Sequence, residues 1–352
     1  MKRLINILFP AILISLLFSC SNDGKKVDLE VGISERKFNP GHYVAVGAGF
    51  NLTRIKYFDE PAVIGVNKRY NWRVLEPEKD EYDLSSIEND LKYCEKHNKH
   101  LVVFLIDRSF WIKGAMPAYL SEYELEADGG GFSPLRWYPE VKDRFIKLAA
   151  EIGNRYDNNP YFEGIALQES SLDLKEEDYK KYSYTVEKYC DAMIDILTNF
   201  QNAMPKSHIF WYGNFIPQDD GTSIRKIYDK MAPYGVYAGG PDILPYHKGY
   251  NRYSYPLFEE FKDKLIFFSS AQDDSYKTHK NDYSHEVEEE MPDEGYMSME
   301  DVFLFGRDKL HLRYIFWNYF YEAEKEGQHT YEDAIKVIRK YPAFNEDIMP
   351  YK

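Results

Sequence analysis

Between Tyr161 and Leu172 the chain reads YFEGIALQESSL. Phe162 to Leu167 has the composition of a buried strand, with Gln168 and Glu169 directly at its carboxyl end. A carboxylate carried by a core strand into its exit loop is placed to act as an acid or a base. The plainer role for Glu169 is to cap the helix that follows. Other apolar runs end on groups of the same kind. Arg69, Asn71 and Trp72 follow one, and Asp107, Arg108 and Trp111 the next. Trp211 and Asn214 follow a third, and Asp242 lies in GGPDIL. Gln272, Asp273 and Asp274 follow LIFFSS, and Trp317 stands in RYIFWNYFY. Carboxylates, amides and indoles on one rim suit a neutral, hydroxyl-rich ligand. Phosphate would ask for basic side chains and glycine-rich turns.

Positioning such a set requires strands that end on one face. Apolar runs at 42–50, 62–69, 101–106, 162–167, 208–215, 236–244, 265–270 and 313–321 predict eight strands, each followed by an amphipathic stretch. Helices are expected near 85–98 (Ser85 and Glu88 forming a capping box), 139–156 with Pro139 in its first turn, and 177–203. Four more are expected near 223–231, 255–263, 298–310 and 330–340. Strands separated by helices pair in parallel, and eight such units without a linker make an α/β protein, a (β/α)8 TIM barrel with extended βα loops. A doubly wound open sheet would want a phosphate-binding glycine turn after its first strand, and GAGF at 47–50 supplies only GxG.

The 352 residues, 44% hydrophobic and 29% charged, can bury a large single core. A net charge of −14 with no long basic run argues against nucleic acid as a partner. The first residues carry a different message. MKR precedes an apolar stretch from Leu4 to Phe18, too short for a convincing membrane span, and Leu17-Phe18-Ser19-Cys20 resembles the bacterial lipobox. The expectation is a lipoprotein signal peptide over 1–19, lipidation of Cys20, and a tether and N-terminal extension over 20–40. The barrel domain, 41–352, would then sit in a bacterial periplasm or at the cell surface, anchored to a membrane. Cys94 and Cys190, outside any CxxC pair, read as buried free thiols. No HExxH, DxDxDG or His/Cys cluster is present, so no metal or cofactor is implied, with calcium in the acidic loop 286–294 left open.

GVNKRYNWRVLEPEKDEYDLSSIENDL is similar to a segment of clan A glycoside hydrolases, notably family 42 β-galactosidases, through Trp72, Leu75-Glu76-Pro77 and Tyr82-Asp83. MPAYL (116–120) resembles their P-x-W-L, and NRYDNNPYFEGIALQE (154–169) their R-Y-x-x-x-P-x-(apolar)-N-E. The resemblance covers about 60–172 and implies glycosidic bond cleavage in an oligo- or polysaccharide. Glu169 would be the general acid/base, and Gln168 would replace the usual Asn. The family's nucleophilic glutamate ends the seventh strand, where this chain has SSAQDDSY. Asp273, Asp274 or Asp242 is left as the second carboxylate. Arg69, Asn71, Gln168, Asn214 and Gln272 would hold sugar hydroxyls, and Trp111, Trp211 and Trp317 would stack on sugar rings, with core burial the alternative to a platform role for Trp72 and Trp317. Glu76 is expected to be structural, Asp83 to belong to a turn, and Asp107 to pair with Arg108. Two other readings stand beside the hydrolase. One is a non-catalytic surface glycan-binding lipoprotein, favoured by the missing glutamate. The other is a polysaccharide lyase with a Tyr or His base.

Overall fold

The computed structural model describes residues 36–110, 113–240, 242–293, 297–323 and 327–343. The expected leader, Cys20 and Trp111 lie outside these residues. Eight parallel strands close on themselves: β1 (Gly41–Val46), β2 (Val63–Asn71), β3 (His100–Ile106), β4 (Phe162–Leu167), β5 (His208–Tyr212), β6 (Tyr237–Gly240), β7 (Phe267–Ala271) and β8 (Leu312–Asn318). Closure is explicit in the register, since β1 pairs in parallel with both β2 and β8. An open doubly wound sheet is thereby ruled out, and the fold is a (β/α)8 barrel.

Around it lie α1 (Ser85–Lys96), α2 (Pro139–Tyr156), α3 (Val186–Ala203), α4 (Thr222–Met231), α5 (Tyr255–Phe261), α6 (Met299–Asp308) and α7 (Tyr331–Lys340). Three local expectations change. The helix expected over 177–203 is two, Glu176–Lys181 and α3, broken where Ser183 takes a left-handed φ of 50°. Thr185 then caps α3 by accepting from Lys188 N. At α1 there is no capping box: Asp83 accepts from Ser85 N, and Glu88 instead receives Lys92. The sixth strand stops at Gly240, so Asp242 belongs to the loop beyond it.

Strand alternation sorts the core into two layers. On β5, Phe210 and Tyr212 face the barrel interior while Ile209 and Trp211 face the helices, and on β8 Tyr314 and Phe316 face inward while Ile315 and Trp317 face outward. The interior is filled by large rings, among them Tyr43, Phe104, Tyr237 and Phe268. Room for them comes from glycine. A Cβ on Gly65 would lie 2.5 Å from the Tyr43 ring, and one on Gly239 would lie 2.8 Å from the Phe268 ring.

The amino-terminal end of the barrel is closed by residues 36–40. Lys37 Nζ donates to the carbonyls of Asp157 (3.1 Å) and Asn159 (2.9 Å). Glu163 is wholly buried there, receiving Asn39 Nδ2 (2.7 Å) and the Tyr314 hydroxyl (2.7 Å). Burial alone would raise its pKa, but His208, His100 and these two donors outweigh it and hold it below the usual carboxylate range. That end is therefore sealed, and the carboxyl-terminal end is the open one.

Candidate active site

At the open end a cleft of about 600 Å3 is lined by Arg69, Arg108, Gln168, Glu169, Asn214, Asp242, Gln272, Asp273 and Asp274, together with His285 and several rings. The strand termini predicted from sequence are thus brought together on one face. A second hollow at the opposite end, around His97 and His100, contains none of these carboxylates.

Glu169 is held from two sides. Arg108 Nη1 donates to its Oε1 at 3.2 Å, and Asn214 Nδ2 donates to its Oε2. The Asn214 amide has its orientation fixed, because its oxygen already accepts from Ser170 Oγ (3.1 Å), Ser171 N (3.2 Å) and Phe215 N (2.8 Å). Both Glu169 oxygens therefore act as acceptors, as suits a carboxylate. Asp107 does not pair with Arg108 as expected. It takes a two-pronged grip from Arg136, at 2.7 and 2.8 Å, and both groups are buried. The same guanidinium donates to the Glu169 carbonyl (2.7 Å) and reaches the Tyr189 hydroxyl (3.1 Å), which in turn donates to Ser170 O (2.7 Å). Glu169 thus sits on a loop whose backbone is tied to the barrel by a buried ion pair. Arg136→Met would strand Asp107 as a buried, unpaired charge. The expected cost is about 3–5 kcal/mol, measured as a fall in the urea midpoint with the slope unchanged.

Asp242 stands opposite in chemistry. It is 8% exposed and accepts one hydrogen bond from a side chain, the Tyr250 hydroxyl at 3.1 Å. Burial pushes its pKa up to about 7, with the charges of Asp274 and Glu169 adding to the rise and His285 and Tyr250 opposing it. At neutral pH this carboxyl is poised between its two forms.

The seventh-strand aspartates differ from both. Asp274 is buried and receives Lys277 (2.7 Å), His285 Nδ1 (2.7 Å) and Ser284 Oγ (3.0 Å). Burial would raise its pKa, yet His285 and Lys277 bring it down to about 2. Hydrogen bonding to Asp274 correspondingly raises that of His285. Asp273 is half exposed and shares Lys277 at 2.5 Å. Neither offers an unengaged carboxylate to the cleft.

The tryptophans read as ring platforms point elsewhere. Trp211 and Trp317 are fully buried in the barrel–helix layer, Trp317 donating to His42 at 3.0 Å and Trp211 packing edge-on against Tyr228. Trp72 is likewise buried, packed on Phe145 and donating to Glu76 at 2.8 Å. Asn71 precedes the helical turn Trp72–Leu75 and is not part of the cleft wall. Glu76 is structural as expected, fully buried between Trp72, Tyr119 (2.6 Å) and Arg144. Gln168 lines the cleft, but its Nε2 is engaged by the Arg108 carbonyl at 3.1 Å. The aromatic that does stand open at the cleft is Phe110, 45% exposed, with the Arg108 guanidinium 4.4 Å from its ring centre. Phe104, Tyr212, Phe215 and Tyr250 complete the apolar walls. For Phe104 and Tyr212, which lie on strands, the signal in the sequence was parity. Tyr212 is an inward neighbour of Trp211, and only one of the two can face the barrel mouth.

Among the described residues no group of three His, Cys, Asp or Glu side chains is placed to hold a metal ion, and no helix is long and apolar enough to cross a membrane. Cys94 and Cys190 are buried free thiols.

No family model and no curated protein matches the sequence. Solved structures do match the fold. A glycoside hydrolase superposes with a TM-score of 0.54 at 13% identity over 85% of this chain and 99% of its own. A β-galactosidase from Bacillus circulans sp. alkalophilus gives 0.55 at 8% identity over 86% of this chain, which spans only 56% of that enzyme. Xylanase 10B from Thermotoga petrophila RKU-1, crystallised with xylobiose, gives 0.50 at 13% identity over 86% of this chain and 95% of its own. Identities this low speak for shared architecture and not for a shared substrate. The chain has the eight-stranded parallel barrel of these glycoside hydrolases, with a carboxylate-lined cleft at its carboxyl-terminal face.

Proposed function

We propose that the protein is a glycoside hydrolase acting on an oligo- or polysaccharide, with Glu169 and Asp242 as its pair of carboxyl groups. The observation that carries this is the contrast between them across one cleft. Glu169 is gripped by an arginine and an amide, while Asp242 is buried with its pKa near 7. Two carboxyls in unlike surroundings suit glycosidic cleavage, which requires one proton for the leaving oxygen and one negative charge for the sugar carbon or for the attacking water. Asp242 supplies the proton. Glu169 supplies the charge, so the proton-donor role that the resemblance assigned to Glu169 passes to Asp242. The second carboxyl comes from the loop after β6 and not from the end of β7, because Asp274 is consumed by Lys277 and His285. Phe110 offers an open ring face, and a surface anchor at Cys20 would hold the cleft near extracellular glycans.

The test is product release. Incubation with neutral and acidic oligosaccharides, followed by mass spectrometry, should yield shortened products from at least one class. The β7 position, with no free carboxylate, favours the glycan-binding alternative, and glycans that bind without ever being cleaved would establish it.

A further inference from the structure

The cleft does not end at the carboxyl pair. Past Arg69 and Phe104, which belong to both walls, it runs into a second lobe of about 240 Å3 at the ends of β1, β2 and β8. The acid–base chemistry leaves this lobe unused. Most charges in the main cleft are matched: Arg108 by Glu169, and Lys277 and His285 by Asp273 and Asp274. Arg69 is different. Its guanidinium makes no hydrogen bond or ion pair with any described residue and lies 5.5 Å from the centre of the Phe104 ring. Glu169 and Asp242 act on it through space without touching it. Two residues earlier on the same strand, Asn67 lines the same lobe, is 2% exposed, and has an amide nitrogen with no hydrogen-bond partner. Asn318, on the other side of β1, also lines the lobe, and Phe50 and Tyr319 there pack edge to face at 5.5 Å.

An unpaired guanidinium and an unpaired buried amide are donors awaiting acceptors. Sugar hydroxyls would satisfy the amide. The planar five-donor fork of arginine, carrying a permanent charge, is matched best by an oxyanion. We propose that this second lobe is a subsite for an anionic sugar residue, with Arg69 pairing with its carboxylate or sulfate ester. The substrate class is then an acidic glycan. This rests on the glycoside hydrolase reading above and narrows it.

The test uses the full-length Glu169→Gln protein on an array of neutral, uronate-containing and sulfated oligosaccharides. The bound set is expected to be anionic, with the uronate and sulfate arms showing which group is recognised. Adding Arg69→Gln should weaken binding of those glycans by roughly 10–100-fold, and leave methyl-esterified or desulfated counterparts unaffected. Arg69→Lys, which keeps the charge but not the fork, should fall between. A bound set made only of neutral glycans, or an equal loss on charged and uncharged forms, overturns the subsite while leaving a hydrolase of neutral glycans standing. No glycan bound by this variant and none cleaved by the unaltered protein overturns both.

Discussion

Asp242→Asn is expected to make the protein more stable and far less active at once. Asparagine copies the size and polarity of the protonated carboxyl but cannot ionise. The native pKa of Asp242, about 7, lies above the ordinary 3.8, so the folded state holds this proton more tightly than the unfolded chain does. Its stabilising contribution is therefore complete below pH 4, declines as pH rises from about 4 to 7, and is gone above that. At pH 8 the folded protein carries a buried charge whose cost is on the order of 4 kcal/mol, from about 1.4 kcal/mol per pKa unit. Removing the charge should raise Tm by roughly 5–10 °C at pH 8 and by less than half as much at pH 5, where only the unfolded chain ionises. Scanning calorimetry at the two pH values checks this. Loss of the proton donor should lower kcat by roughly 10²–10⁴-fold on substrates with poor leaving groups. A variant that gains stability and keeps its activity would show that Asp242 is only a buried liability.

Glu169→Gln is expected to lower kcat/KM by at least roughly 10³-fold with little change in fold, at the upper end of what one catalytic carboxyl contributes. Glutamine still accepts from Arg108 or Asn214 with its one oxygen, so the loop stays tied while the negative charge is lost. Circular dichroism should be unchanged. Binding of uncleaved glycan should survive, because the walls around Phe110 and Tyr212 are untouched. Full turnover in this variant would remove Glu169 from the chemistry.

The fold was legible because its signals are local. Runs such as LVVFLI and LIFFSS are continuous and apolar because parallel strands are buried on both faces, and the amphipathic stretches between them show helical spacing. Glu169 was legible for the same reason, as the residue at which a core strand meets solvent. Trp211 was misread as a ring platform because a strand end was treated as a point, while Trp72 and Trp317 fill the core, as their alternative had it. Alternation sends Trp211 and Trp317 outward and Tyr212 and Phe316 inward, a consequence of a two-residue period that the sequence does display. Asp242 escaped a firm assignment because its strand looked longer than it is. Gly239 and Gly240 end β6, and the carboxyl lies in the turn beyond.

The distant partners of the charges were not legible. Asp107 and Arg108 are adjacent, so a mutual pair was the natural reading. Neighbouring residues at a strand end point apart, however, and each finds a different partner. Arg136, which grips Asp107, is 29 residues away in sequence. Asp274 meets Lys277 at the end of the single helical turn Asp273–Tyr276, a local pairing, and His285 from further along the same loop. The folded loop after β7 shows Asp274 to be occupied, and Asp242 is the carboxyl left to the cleft.

The most direct test of the Glu169–Asp242 pair is the pH dependence of kcat/KM on a cleaved glycan. With Asp242 as the acid, activity should fall above about pH 7 with the slope of a single proton. That limb should be missing from the residual activity of Asp242→Asn. Activity that stays flat from pH 6 to 9, or an alkaline limb that persists in the variant, would contradict the assignment.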